Sequence, residues 1–350
     1  MPVQTSQAKT ETYRRIPKVE LHRHLEGSLR LGTLFDLART YSVTLPLVND
    51  LEKLVQVQGS DPLTFTNFLS KFQTLRRFFL SPEVIQRITH EAVVDAAEDG
   101  IQHLELRFTP VALSRSQDFL LSSVMDWVCS SAAQAAQERH ISVRLIASVN
   151  RHEPPELAAE VAHLAAERIP QGLVGLDLAG NEAEFDAQPF ARIFQEARQA
   201  GLSITIHAGE WGGAANVRQA IEVLGAVRIG HGIRVLEDPA VVELARQRGT
   251  VFEVCLTSNY QSGVVPSMVD HPLLAMIQAG LRATLNTDDP GISSITLSDE
   301  YRLACDMLGL PLVTLHSCIL EAAEAAFLEP LERKLLVSQL RMALRGRVIL

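Results

Sequence analysis

The chain has 350 residues, 47% hydrophobic and 21% charged, a balance that supports a large buried core and excludes general disorder. Its 32 Lys and Arg stand against 41 Asp and Glu, a formal net charge of -9, and no long basic run interrupts the pattern. A nucleic-acid or anionic-membrane footprint is therefore missing, and the expected partners are small molecules.

Met1 to Arg15 is polar and charged, without an apolar segment of signal-peptide length, and no later window approaches the roughly 18 apolar residues of a membrane span. Residues 1–14 are expected to be flexible and 15–350 to form one domain of a soluble, cytoplasmic protein, with monomer and homo-oligomer both open. Eight short apolar runs then recur: Lys18 to His24, Gln102 to Thr109, Val143 to Val149, Leu173 to Leu178, Leu202 to His207, Val227 to Gly230, Val251 to Leu256 and Leu281 to Asn286. Their near-continuous apolar character is that of parallel strands covered on both faces. Amphipathic segments such as Pro155 to Arg168, Pro189 to Ala200, Asn216 to Leu224 and Pro239 to Arg248 lie between them, and Gly201, Gly249 and Gly280 stand where helices would stop. From the fourth run to the eighth the spacing is about 24 to 30 residues, enough for a strand, a helix and two short loops.

The pattern predicts an α/β protein, a (β/α)8 TIM barrel with a helical insertion after the first strand and closing helices within Leu297 to Leu350. The insertion, Leu31 to Gly100, includes an expected helix from Phe65 to Phe79. Its apolar residues Phe65, Phe68, Leu69 and Phe72 fit either a pocket wall above the strand ends or ordinary core packing. The four cysteines, Cys129, Cys255, Cys305 and Cys318, contain no Cys-x-x-Cys pair, which fits reduced thiols, and Cys255 reads as core.

Chemistry gathers at the ends of the runs. His22 and His24 are two apart, so on an extended strand both point to one face while Arg23 points to the other. His207, His231 and Asp288 close other runs, and in a parallel barrel all these ends converge on one mouth. Three histidines and a carboxylate with room for water make a zinc-type donor set that activates water at neutral pH. A second metal bridged by a modified lysine is not expected, because Lys9, Lys18, Lys53, Lys71 and Lys334 all lie far from the fourth run. Glu210, directly after the fifth run, reads either as an acid beside the metal or as a helix N-terminal acid. His231 between two glycines reads as a functional or a core histidine, and Asp288-Asp289 as a site or a solvated turn. The Pro-Cys-x-x-Cys signature of zinc deaminases acting on bases in nucleic acids is absent.

Six segments in order, Pro17 to Gly27, Asp177 to Glu182, His207 to Glu210, Gly230 to Gly232, Cys255 to Asn259 and Asn286 to Pro290, resemble the adenosine deaminase family of metal-dependent amidohydrolases, across roughly Arg15 to Gly309. The resemblance implies one zinc ion per chain on His22, His24, His207 and Asp288, and deamination at purine C6. By it Glu210 protonates N1, His231 orients the attacking water, Asp289 contacts N7, the Gly180 N–H serves N3, and His24 also faces the substrate. Adenosine-specific members usually carry Asp where this chain has Glu26, which is one methylene longer, for the ribose 5'-hydroxyl. Glu26 should repel a 5'-phosphate unless Arg23 or Arg30 compensates. The segment from Pro290 to Tyr301 resembles the adenosine branch more than the adenine branch. Adenosine, with 2'-deoxyadenosine, is the expected substrate. Adenine, an N6-methyl nucleotide and a 5'-extended nucleoside such as aminodeoxyfutalosine are alternatives, as is a non-catalytic purine-binding barrel.

Overall fold

The computed structural model describes residues 11–43 and 50–345. Eight parallel strands follow one another around the sheet in sequence order: β1 (Lys18–His24), β2 (Ile101–Phe108), β3 (Ser142–Asn150), β4 (Leu173–Ala179), β5 (Ser203–Ala208), β6 (Arg228–His231), β7 (Val251–Val254) and β8 (Arg282–Leu285). The predicted barrel is present, each strand pairing with its sequence neighbour. The β8 to β1 seam closes by other means. Leu21 N–H donates to Asn286 Oδ1 at 3.0 Å, and His24 N–H and Asp288 N–H donate to Asp288 O and His22 O, both at 2.8 Å.

Helices cover the outside by burying one stripe each. In Pro82–Glu98, Ser81 Oγ accepts from the Val84 N–H and Pro82 occupies the first turn. Val84, Ile85, Ile88, Ala92, Val93 and Ala96 then recur at three-to-four spacing and are buried. The insertion after β1 contains this helix together with Leu31–Thr40, Leu51–Val55 and Phe65–Leu75. The last is shorter than expected, because the backbone tightens into a 3-10 turn at Arg76–Phe78. Closing helices Leu297–Asp306, Leu312–Ala325 and Pro330–Arg345 follow β8, and residues 346–350 lie outside the described residues. Residues 11–14, expected to be flexible, form a helical turn whose Tyr13 hydroxyl donates to Asp306 Oδ1 at 3.1 Å; residues 1–10 lie outside the described residues. Among the described residues no helix is long and apolar enough to cross a membrane.

The barrel interior departs from the apolar reading of the runs. Glu105, Arg107, Asp177, Arg228 and Glu253 point inward and are buried. Arg228 donates to Glu105 Oε2 at 2.5 Å and to Glu253 Oε1 at 2.6 Å, while Arg107 donates to Glu253 Oε2 at 2.7 Å and lies 3.4 Å from Asp177 Oδ2. Phe327 closes the lower end, its ring centroid 3.5 Å from the Arg228 guanidinium carbon. Removing a partner from such a column leaves a buried charge without its counterion. Arg228→Met should therefore lower unfolding free energy by about 3–5 kcal/mol, read from urea denaturation of the metal-free protein; a loss under about 1 kcal/mol would mean that the column adds little to stability.

Candidate active site

The strand ends deliver the site residues into one space. His22 and His24 come from the end of β1 and His207 from β5. Asp288 stands three residues beyond β8, and its ligand-type atom and those of the three histidines all lie within 4.8 Å of one another. Asp288 Oδ1 is 3.2 Å from His22 Nε2 and 3.3 Å from His24 Nε2, and His24 Nε2 is 3.2 Å from His207 Nε2. β6 can approach closely because position 230 lacks a side chain: a Cβ there would stand 2.9 Å from His22 Cε1 and 3.3 Å from the His207 Cα.

The hydrogen bonds behind the cluster show what it is built to hold. His22 Nδ1 lies 2.8 Å from Glu253 Oε2, and His207 Nδ1 lies 3.0 Å from Asp177 Oδ1. Both carboxylates are acceptors held ionised: burial opposes this, but Arg107, Arg228 and His22 outweigh it for Glu253, and His207 and Arg107 for Asp177. Each ring therefore places its N–H on Nδ1 and turns an Nε2 lone pair inward. Lone pairs and a carboxylate oxygen at such separations repel unless a cation lies among them. Burial and Arg107 disfavour a charged His22, yet Asp288 and Glu253 raise its pKa, so the cluster itself attracts positive charge. A divalent metal with three nitrogens and one oxygen fits this donor set. A second grouping, His22, His231, Cys255 and Asp288, fits less well, because burial pushes the Cys255 thiol well above its ordinary range.

Around the cluster stand groups in defined protonation states. Glu210 lies in a bend ahead of the Ala214–Glu222 helix, not in its first turn. Its loop is fixed by Glu182, whose carboxylate accepts from the backbone N–H groups of Gly209 at 2.9 Å, Glu210 at 2.6 Å and Trp211 at 2.8 Å. Burial, then Asp288 and Glu182, push the Glu210 carboxyl well above its ordinary pKa. His231, at the end of β6, has Nε2 3.6 Å from Glu210 Oε2 and 3.8 Å from Asp288 Oδ2. A relay sets its tautomer. The Leu273 N–H donates to His271 Nδ1 at 3.1 Å, His271 Nε2 donates to Asn259 Oδ1 at 3.2 Å, and Asn259 Nδ2 donates to His231 Nδ1 at 3.0 Å. Burial holds His271 down at about 3, so it stays neutral in that chain, and His231 is left with its N–H on Nε2, facing the site. Asp288 is held well below its usual range: burial opposes ionisation, but His22, His231 and His24 outweigh it. Asp289 is pushed well above by burial and by Asp288, Glu26 and Glu210.

Glu210, His231, Asp288 and Asp289 line a cavity of about 140 Å³ that also touches His24, Glu26 and Gly180. Phe65, Phe68, Leu69 and Phe72 all border it, and the Phe65 ring lies 4.2 Å from that of Trp211. Two buried carboxyl oxygens on the wall lack a hydrogen-bond partner, Glu26 Oε2 and Asp289 Oδ1; the other Glu26 oxygen accepts from the Thr109 N–H at 2.5 Å. Arg23 and Arg30 do not balance Glu26 as expected. Arg23 points away to Thr287 and Ala92, and Arg30 is paired with Asp95 at 2.6 Å. Arg76, which had no assigned role, lines the cavity instead.

A sequence model of the family described as adenosine deaminase matches residues 17–343. The chain belongs to the adenosine deaminase family. It is similar to the adenosine deaminase of Erwinia tasmaniensis, 37% identical over 321 residues that make up 91% of this chain and 96% of the relative. Among solved structures it is similar to an adenine deaminase from Arthrobacter aurescens, 26% identical with a TM-score of 0.86 over 94% of this chain and 99% of that one. It is also similar to Arabidopsis ADAL complexed with IMP, 29% identical with a TM-score of 0.86 over 97% of this chain and all of that one. Adenosine deaminase family membership makes this protein a hydrolytic deaminase of purine-type substrates.

Gly230→Ala tests the close approach that assembles the cluster. Its Cβ must displace His22, so divalent-metal affinity should fall by about 10–100-fold, read by equilibrium dialysis and metal analysis. Unchanged affinity would show that the cluster tolerates a rotated His22.

Proposed function

We propose that this protein hydrolytically deaminates adenosine, and 2'-deoxyadenosine, to the inosine product and ammonia with one zinc ion per chain. The observation that carries the nucleoside reading is the unpartnered Glu26 Oε2 on the cavity wall. A ribose hydroxyl satisfies it, whereas free adenine leaves a buried acceptor unpaired at a cost of about 1–3 kcal/mol.

His22, His24, His207 and Asp288 would hold the zinc. When bound there it supplies a Lewis acid that lowers the pKa of water toward about 7. The other roles follow from hydrogen-bond polarity. Purine N1 and N7 are acceptors, so carboxyls that meet them must carry protons. Glu210 and Asp289 have pKa values raised by burial and neighbouring carboxylates, and they meet that requirement. Glu210 donates its proton to N1, making C6 electrophilic. Asp289 donates to N7, and the Gly180 backbone N–H, at a position with φ of 95°, serves N3. His231 Nε2–H faces the oxygen that adds at C6 and stabilises charge developing there. His24 borders the same cavity and faces the substrate as well as the metal. The phenylalanines of the insertion and Trp211 exclude water from the base. Overall, water provides the oxygen that bonds to C6, the C6–N bond breaks and ammonia leaves. We place the protein in the cytoplasm, supported by four cysteines that form no disulfide.

The test is turnover of adenosine by zinc-loaded protein beside adenine and 5'-deoxyadenosine, which lacks the hydroxyl assigned to Glu26. Adenosine should be fastest; preference for adenine would overturn the nucleoside reading. Glu210→Gln keeps the size of the side chain and removes the transferable proton, so metal content should hold while kcat falls by about 10² or more. Wild-type kcat in that variant would remove Glu210 as proton donor.

A further inference from the structure

Glu182 has a counterpart among the closing helices. Glu300, on the helix Leu297–Asp306, is fully buried and turns its carboxyl onto the short helix Leu256–Gln261 that follows β7. We propose that Glu300 is a positioning residue for the reaction, holding the start of that short helix so that Ser258 and Asn259 reach Asp288 and His231. Its effect on turnover rests on the purine-deaminase reading; its effect on His231 rests on hydrogen-bond geometry alone.

The short helix cannot place itself. Its 6 residues are too few to be stable in isolation. Cys255, its N-cap residue, makes no side-chain capping bond, so the first N–H groups need an acceptor from elsewhere. Glu300 supplies it from 43 and 44 positions away: its carboxyl accepts from the Leu256 N–H at 2.7 Å, from the Thr257 N–H at 3.1 Å and from the Thr257 hydroxyl.

The next two residues hold the site. Ser258 Oγ donates to Asp288 Oδ2 at 2.7 Å, and Asn259 Nδ2 donates to His231 Nδ1 at 3.0 Å. Both recipients have left-handed backbone angles, so their neighbours must fix where their side chains point. A displacement of about 1 Å in such a turn is enough to cost about 10²-fold in rate.

Glu300 is itself anchored from behind. Thr296 and Asp299 close a capping box at the start of its helix, and the Ser298 N–H and hydroxyl donate to Asp99 Oδ2 at 3.0 Å and Oδ1 at 2.5 Å. Asp99 directly follows the Pro82–Glu98 helix, so the closing helix is tied to the insertion while Glu300 faces the loop after β7. Hydrogen-bond acceptance, rather than charge, is what Glu300 contributes. Burial pushes its carboxyl up to about 8, although the Thr257 and Leu256 bonds pull it down. Either protonation state keeps an oxygen that accepts an N–H.

The test compares zinc-loaded wild type with Glu300→Met, which keeps the length of the side chain and removes its acceptors. NMR of protein made with isotope-labelled histidine, the His231 signals assigned from His231→Gln, should show a bare Nδ1 and a protonated Nε2 in the wild type. In Glu300→Met the two nitrogen signals should move toward each other as Asn259 lets go and the tautomers mix, while kcat for adenosine falls by about 10–100-fold and KM holds. Glu300→Gln retains one acceptor and should restore part of both. Asn259→Ala should mix the tautomers by itself. Adding Glu300→Met to it should then lower kcat by less than the product of the two single losses, the remainder passing through Ser258. Unchanged His231 signals in folded Glu300→Met, or losses that multiply fully with Asn259→Ala, overturn the positioning role; should Glu300→Met not fold, unchanged signals in Glu300→Gln overturn it instead. Turnover of adenosine by the wild type with His231 unmoved in the variants defeats the positioning role alone. A tautomer shift in a protein inert to adenosine defeats the nucleoside reading and leaves the hold of Glu300 on His231 standing.

Discussion

Glu253 is the residue on which the site depends. Its two oxygens take hydrogen bonds from Arg107, Arg228, Thr205 and His22, side chains carried by β2, β6, β5 and β1. One carboxylate on β7 thus ties four other strands through the barrel axis, where fully apolar layers would pack with looser rotational preference. Burying so many charges is unfavourable in itself, and an apolar replacement of the whole set would cost little or even stabilise. What the column adds is direction. It fixes the proton of His22 on Nδ1, and Asp177, paired with Arg107, does the same for His207. The lone pairs of both rings are then committed to the mouth of the barrel before any metal arrives.

Two non-glycine residues of the site, His231 and Asp288, hold left-handed backbone angles, φ of 59° and 63°. Such conformations cost about 1–3 kcal/mol each and persist only where surroundings over-determine them. For Asp288 the surroundings are the β8 to β1 seam, where its backbone gives and takes a hydrogen bond with β1, and Ser258, whose hydroxyl donates to Oδ2 at 2.7 Å. The turn swings Asp288 toward the histidines and sends Asp289 to the opposite wall, beneath Gly27, where even a methyl group would collide with its carboxylate. Adjacent acids thereby acquire opposite tendencies: Asp288 is held toward the ionised form beside His22, His231 and His24, and Asp289 toward the protonated form among carboxylates.

The barrel is legible from period and spacing because, from the fourth run to the eighth, strand-helix units repeat at near-constant length, and the histidines are legible because each one stands at the end of a run. Less visible was everything that acts through three dimensions. Glu105, Arg107, Arg228 and Glu253 are charges inside apolar runs, a signal present in the sequence. Their pairing is across the barrel, between residues as far as 123 and 146 positions apart, and no local pattern encodes it. Glu182 and Asn259 sat within motifs that carried the family resemblance, yet their work, cradling the Glu210 loop and setting the His231 tautomer, needed coordinates. His271 had no signal at all, being one histidine in a loop. Arg23 and Arg30 were reasonable partners for Glu26 by proximity in sequence, but strand alternation turns Arg23 outward and Asp95 engages Arg30. The cation that does reach the cavity, Arg76, lies some fifty positions away in the inserted helices.

Proton placement explains why one cavity can both start and finish the proposed reaction. Adenine presents an acceptor at N1, whereas the deaminated product presents an N1–H donor. A carboxyl there must change from donor to acceptor during a single turnover, and in the proposed reaction Glu210 would do so by giving up its proton. Once ionised it is a buried carboxylate close to Glu182 and Asp288, the arrangement that raised its pKa at the outset. Its hydrogen bond to the product N1–H is thus set against the cost of an uncompensated buried charge, and recovering a proton as product departs relieves that cost. In the proposed reaction Asp289 would face no such reversal, since N7 remains an acceptor throughout, and it would hold the base in register while Glu210 cycles. In this proposal the asymmetry between two acids of raised pKa follows from which purine nitrogen each one would meet.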